Sequence, residues 1–107
     1  MFDKGKYLYL STGEGGVGSY GGPNTVNDNA QDGMSSWGKI HRLRDDGSIP
    51  TDNPVIPGNS GPASVFTYGH RNPQGMALHP ETGEIWASEQ GPRGGDEVNI
   101  IKMGANY

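Results

Sequence analysis

The sequence predicts an all-β chain amounting to about two blades of a β-propeller, with glycine- and proline-rich loops between short strands. Three observations carry this. Tyr, Trp, Ile and Val come in short bursts between turn residues, with no sustained 3.6-residue period. Gly and Pro make up 27 of the 107 residues and hydrophobic residues only 31%, so the chain holds one thin-cored domain at most. The segments KYLYLSTGEGG and GEIWASEQGPRGG share one order: aromatic strand, small polar residues, acid, Gly-rich loop. That is a weak internal repeat on the scale of one blade. A propeller removes its sheet edges by closing into a ring. A chain this short does not close one, so residues 1–107 read as a partial propeller, a fragment or a piece that needs partners. A small open β-sandwich accounts for the same pattern equally well.

Residues 6–12 form the first strand, rich in aromatic and β-branched types. Residues 13–23 are glycine-rich loop. Residues 24–36 are polar and ambiguous, with a helical turn around 31–36. Residues 38–43 form the second strand, and Asp45, Asp46 and Gly47 turn the chain. Residues 52–62 hold three prolines and two glycines and connect. Residues 64–68, 75–79, 84–88 and 97–101 supply the other strands, with a turn at 80–83.

Composition excludes several classes of function. Net charge is -4 with no run of like charges, so the basic patch of nucleic-acid binders is absent. No apolar run approaches the ~18 residues of a membrane span. Residues 1–10 lack the ordered basic, apolar and cleavage regions of a signal peptide. With no cysteine, thiol catalysis, disulfides and Cys-zinc sites are ruled out.

Some motifs fail inspection. Gly13 to Gly18 match GxGxxG after a strand, but Ser19, Tyr20, Gly21, Gly22 and Pro23 follow and cannot start the helix that holds a pyrophosphate. A flexible connector is the better reading. Asp28 to Gly33 resemble the start of an EF-hand loop, yet Ala30 takes a ligand position and Lys39 stands where the bidentate Glu belongs. His41, His70 and His79 have no metal spacing and read as structural. Ser60 lacks the GxSxG elbow.

One constellation survives. Arg71 and Asn72 follow a strand and precede Pro73, which holds Asn72 extended. Arg71 offers a planar fork for carboxylates or a quinone oxygen, and Asn72 donors and an acceptor. A brace between strands is the bland reading. Downstream of Glu89 and Gln90, the Gly91-Pro92 step exposes carbonyls outside any ladder. With Asp96, Glu97 and the Tyr107 carbonyl nearby in sequence, hard oxygen donors suited to calcium gather. A plain turn with solvated acids is the alternative.

The stretch GHRNPQGMALHPETGEIWASEQGPRGGDEVNIIKMGANY resembles the signature of soluble PQQ-dependent sugar dehydrogenases, the glucose/aldose dehydrogenase group. WGKIHRLRDDGSIPTDNP and KYLYLSTGEGG resemble the segments before it. The resemblance covers nearly the whole chain. It implies a six-bladed β-propeller, of which this chain would be about two consecutive blades. It implies that Arg71 and Asn72 contact PQQ, with Gln90 lining the same pocket. It also implies that Gly91 and Pro92 give carbonyls to the calcium that polarises PQQ, and that Glu97 and Tyr107 match a further calcium site. An aldose substrate, an external electron acceptor, a periplasmic or secreted location and a homodimeric parent belong to the same implication. The family's catalytic histidine and its later basic cofactor clamps fall outside these residues, so no catalytic residue is assigned and the chain alone is expected to be inactive. A non-enzymatic propeller module for binding and a calcium-stabilised β domain are the competing readings.

Overall fold

The computed structural model describes residues 1–15, 26–59, 63–91 and 94–107. Its elements run β1 (Tyr7–Thr12), α1 (Val26–Gln31), β2 (Lys39–Arg44), β3 (Val65–Thr67), β4 (Pro73–Leu78), β5 (Ile85–Glu89) and β6 (Glu97–Ile101). They make two antiparallel three-stranded sheets, β1-β2-β3 and β4-β5-β6. All six expected strands are present, and among the described residues the chain is all-β apart from one short helix. It forms consecutive propeller blades, as the repeat suggested.

The repeat has a structural counterpart. Phe2 bridges Leu8 on the side of β1 away from β2. Strand β1 is therefore flanked on both sides, as β5 is by β4 and β6. The two similar segments are corresponding strands of successive blades.

Strand alternation decides what goes inside. Along β5, Ile85, Ala87 and Glu89 are buried while Trp86 and Ser88 face out. The core is drawn from both sheets: Tyr9, Ile40 and Phe66 from the first, Ile85, Ala87 and Ile101 from the second. Tyr9 meets Phe66 edge to face, with ring centroids 5.3 Å apart, and the Arg42 guanidinium lies 4.0 Å over the Tyr7 ring. Each large ring in this thin core does double duty as filler and as a specific contact.

Turn chemistry follows the sequence. Asp46 accepts both the Ser48 N–H and its hydroxyl, and Gly47 takes the left-handed φ of 85° that closes this turn. The helix does not follow it. The helical turn expected around 31–36 lies earlier, at Val26–Gln31. Its last carbonyls find tertiary partners: Ala30 O accepts the Gly69 N–H at 2.9 Å, and Lys39 Nζ caps Asn29 and Ala30. Nothing local to residues 24–36 signals those partners.

The buried Tyr9 hydroxyl donates to Asp3. Burial, and then the Asp3 charge, push its pKa up to about 12. A raised folded pKa means that the stabilisation is complete below about pH 10 and is lost as pH climbs toward 12. Tyr9→Phe is expected to flatten the part of that alkaline loss that falls below pH 11, about 1 kcal/mol, in urea unfolding measured across pH 9–11.

Candidate functional site

Three strand ends meet at one edge of the molecule: the end of β1, the entry to β4 and the exit of β5. The Glu14 N–H donates to the Arg71 carbonyl at 2.8 Å, and the Gln90 N–H to the Asn72 carbonyl at 3.0 Å. Ser11 Oγ bonds the Pro73 carbonyl at 3.0 Å. These bonds join the two blades and hold Arg71 and Asn72 between them. Gly69 introduces this segment with a left-handed φ of 80°, and a Cβ there would collide with the Asn106 side chain, so only glycine fits.

The sequence-predicted cofactor residues come together. Arg71 Nη1 donates to the Gln90 carbonyl at 3.0 Å, and Asn72 Nδ2 reaches Gln90 Oε1 at 3.4 Å. Gln74 Nε2 reaches the same Gln90 oxygen at 3.4 Å, giving a row of three carboxamides. Arg71, Asn72, Gly13, Glu14 and Gly15 line a cavity of about 350 Å³. Beside it, Gln74, Ser88, Gln90, Asp96 and Glu97 are among the residues lining an open cavity of about 440 Å³.

Glu14 is the residue that motif reading missed. It was part of a discarded GxGxxG match, yet its carboxylate is buried and lies 3.7 Å from Arg71 Nε. The described part of that segment, residues 13–15, is tied down by backbone bonds to Arg71 and Gly38 and is no loose connector. An acid isolated among glycines at a strand end was the only sequence signal. Residues 16–18 of the motif, and Ser19 and Ser60, lie outside the described residues.

Glu89 is a second acid to which no motif assigns a role. Burial pushes its carboxyl pKa up, while hydrogen bonds from His70 and from the Arg71 and Asn72 N–H groups, with the attraction of His70, more than offset this and leave it below the usual range. It is therefore a carboxylate at neutral pH. His70 is fully buried against it, in keeping with a structural rather than catalytic histidine.

The expected metal residues are less concentrated. Gly91 donates its N–H to Asp96 Oδ1 at 3.0 Å, and its Cα lies so close to the Gly95 main chain that a Cβ would collide with it. Pro92 lies outside the described residues. Glu97 is exposed at the larger cavity and accepts from Asn99. The Tyr107 ring stacks on His70, 4.8 Å between centroids, and its hydroxyl bonds the Ile100 carbonyl. Among the described residues no group of three or more His, Asp or Glu side chains gathers as a metal cage. No helix among the described residues is long and apolar enough to cross a membrane.

The family model for glucose/sorbosone dehydrogenases matches residues 1–107. The aldose sugar dehydrogenase YliI of Escherichia coli (strain K12) is 44% identical over 107 residues, covering 100% of this chain and 26% of that protein. Quinoprotein glucose dehydrogenase B of Acinetobacter calcoaceticus is 48% identical over 79 residues, 74% of this chain and 16% of that protein. The PQQ-bound aldose sugar dehydrogenase of Streptomyces coelicolor superposes with a TM-score of 0.78 at 40% identity, over 99% of this chain and 27% of that one. The chain thus spans no more than 27% of the length of these three relatives.

Proposed function

This chain belongs to the glucose/sorbosone dehydrogenase family, and we propose that the intact protein is a PQQ- and calcium-dependent aldose dehydrogenase for which this chain supplies one side of the cofactor site. The observation that carries the proposal is the convergence of Arg71, Asn72 and Gln90 beside the cavity that Arg71 and Asn72 line. The fit is chemical. A guanidinium and carboxamides stand next to the Glu14 carboxylate and backbone carbonyls, which suits a planar polar quinone with oxygens to be held on several edges.

When bound, PQQ would supply the two-electron acceptor for oxidation at the anomeric carbon, and calcium would supply Lewis acidity beside it. The chain's own residues would orient and bind. Arg71 would place positive charge where the quinone oxygens gain electron density. Asn72 and Gln90 would fix the ring plane by hydrogen bonds. The Gly91 and Pro92 carbonyls would hold the calcium, and Glu97 with the Tyr107 carbonyl would hold a second one. We assign the substrate as an aldose, which the names of the relatives support, and the electron sink as an external acceptor, the location as periplasmic and the parent as a homodimer, which rest on the sequence resemblance alone.

The test is thermal unfolding of the intact apo-protein. PQQ with calcium is expected to raise the midpoint, because a ligand at about 100 times its Kd adds about 2.7 kcal/mol to the folded state. Chelating the calcium is expected to remove most of that gain. A midpoint indifferent to PQQ would sink the proposal, and a response to calcium alone would favour a calcium-stabilised domain. The isolated 107-residue chain is expected to show no dye-linked glucose oxidation.

A further inference from the structure

We infer that Glu89 is a positioning residue for the cofactor-facing pair Arg71 and Asn72, acting through a buried chain of hydrogen bonds that runs Thr67–His70–Glu89; the inference rests on the PQQ reading above. Alternation along β5 turns Glu89 inward, where it is 7% exposed. Its two oxygens have separate tasks. Oε1 lies 2.6 Å from His70 Nδ1. Oε2 accepts the Arg71 N–H at 2.6 Å and the Asn72 N–H at 3.3 Å.

These two N–H groups precede β4, where Pro73 offers no donor and the ladder has not yet begun. Holding both on one oxygen fixes the backbone at 71 and 72. It thereby sets the directions in which the guanidinium and the carboxamide leave the chain. Both side chains then arrive at Gln90, one residue beyond Glu89. Strand β5 thus carries the anchor for their backbone, and the residue just past its end is the partner for their side chains.

The carboxylate is itself held. His70 and Thr67 are both fully buried, and His70 Nε2 lies 2.7 Å from Thr67 Oγ1. Tyr107 stacks on the ring, and the His70 N–H is bonded to the Gly38 carbonyl at 3.0 Å. His70 has no freedom to swing, so Glu89 cannot drift from the N–H pair without breaking a satisfied buried network. A buried charge is a costly way to satisfy two amides. Its return is precision in the groups that reach the cofactor.

Two variants of the intact enzyme separate positioning from bulk stability. Glu89→Gln keeps the reach: its carbonyl can accept the two N–H groups while its amide donates to His70 Nδ1, the imidazole taking the other tautomer. Glu89→Asp keeps the charge but draws it back by one methylene. PQQ affinity is measured by fluorescence titration well below each variant's melting temperature, alongside that temperature. Glu89→Asp is expected to weaken PQQ binding about tenfold or more, since its shortened side chain no longer reaches the Arg71 and Asn72 N–H groups that it must hold, while Glu89→Gln, which keeps an acceptor at the same reach, stays within about threefold of wild type. A purely structural Glu89 would lower both melting temperatures and leave the affinity of folded protein unchanged. That result, or a Gln variant as weak as the Asp variant, overturns the inference. A wild-type enzyme that fails to bind PQQ overturns the functional reading itself, and is told apart because no variant is needed to see it.

Discussion

Replacing Arg71 with alanine in the intact enzyme is expected to lower kcat for aldose oxidation by about 10²- to 10³-fold, the usual cost of losing one charge-stabilising donor. The guanidinium is already in place before any reaction. Its Nη1 is held on the Gln90 carbonyl at 3.0 Å and its Nε faces the buried Glu14 carboxylate at 3.7 Å. The side chain is 38% exposed, so it presents the rest of its fork to the cavity. A donor fixed in advance costs no reorganisation as charge develops, which is why its loss should appear in kcat. Arg71→Lys is expected to recover little, because one ammonium cannot both bond the Gln90 carbonyl and offer a planar fork. The melting temperature should fall as well, since the buried Glu14 carboxylate loses its charge partner, so kcat is read well below the melting temperature of each variant. Steady-state dye-linked assays at saturating PQQ and calcium check the prediction. A kcat within threefold of wild type would remove Arg71 from the chemistry.

What was legible in the sequence was whatever depends on near neighbours. Strand β6 falls on the residues expected, 97–101, because its alternation and its flanking glycines are local signals. Strand β4 begins two residues before the expected start at 75, at Pro73. A strand's first residue tolerates proline, and the register shift between Pro73 and Gly75 absorbs the irregularity. Arg71, Asn72 and Gln90 were grouped through the family resemblance, and what brings them together is the antiparallel pairing of β4 and β5, with Pro73 opposite Glu89. That register makes residues almost twenty positions apart into neighbours. Glu14 comes from the other blade, 57 positions before Arg71, and no pattern in its surroundings announces the contact. Glu89 was visible as an acid but not as an anchor, since its partners are backbone N–H groups that carry no residue signature. The helix moved for the same reason: its carbonyls are answered by Lys39 and Gly69.

Lys39→Met should cost the fold about 3–5 kcal/mol, a large share of the roughly 5–15 kcal/mol that holds a domain together. Lys39 is fully buried, where a lysine is rarely found. Burial pulls its pKa down to about 8, with Asp32 pulling it back, so at neutral pH it is still an ammonium with three N–H groups to place. Three carbonyls receive them: Asn29 at 2.7 Å, Ala30 at 3.0 Å and Trp37 at 2.7 Å. The residue that spoiled the EF-hand match thus points its charge at backbone oxygens, much as a bound cation would. Methionine has similar length and no donor. Ala30 keeps the Gly69 N–H, but the Asn29 and Trp37 carbonyls each lose a bond from a charged donor, at about 1.5–3 kcal/mol apiece. The damage should reach the site. Helix α1 meets the segment before Arg71 through the Ala30–Gly69 bond, and the next residue, His70, is bonded to Gly38 beside Lys39. The variant is therefore expected to lose both urea resistance and PQQ affinity. Urea midpoints and PQQ titrations on the same preparations decide it; a loss below about 1 kcal/mol would mean that the three carbonyls find water instead, and that the lysine is filler.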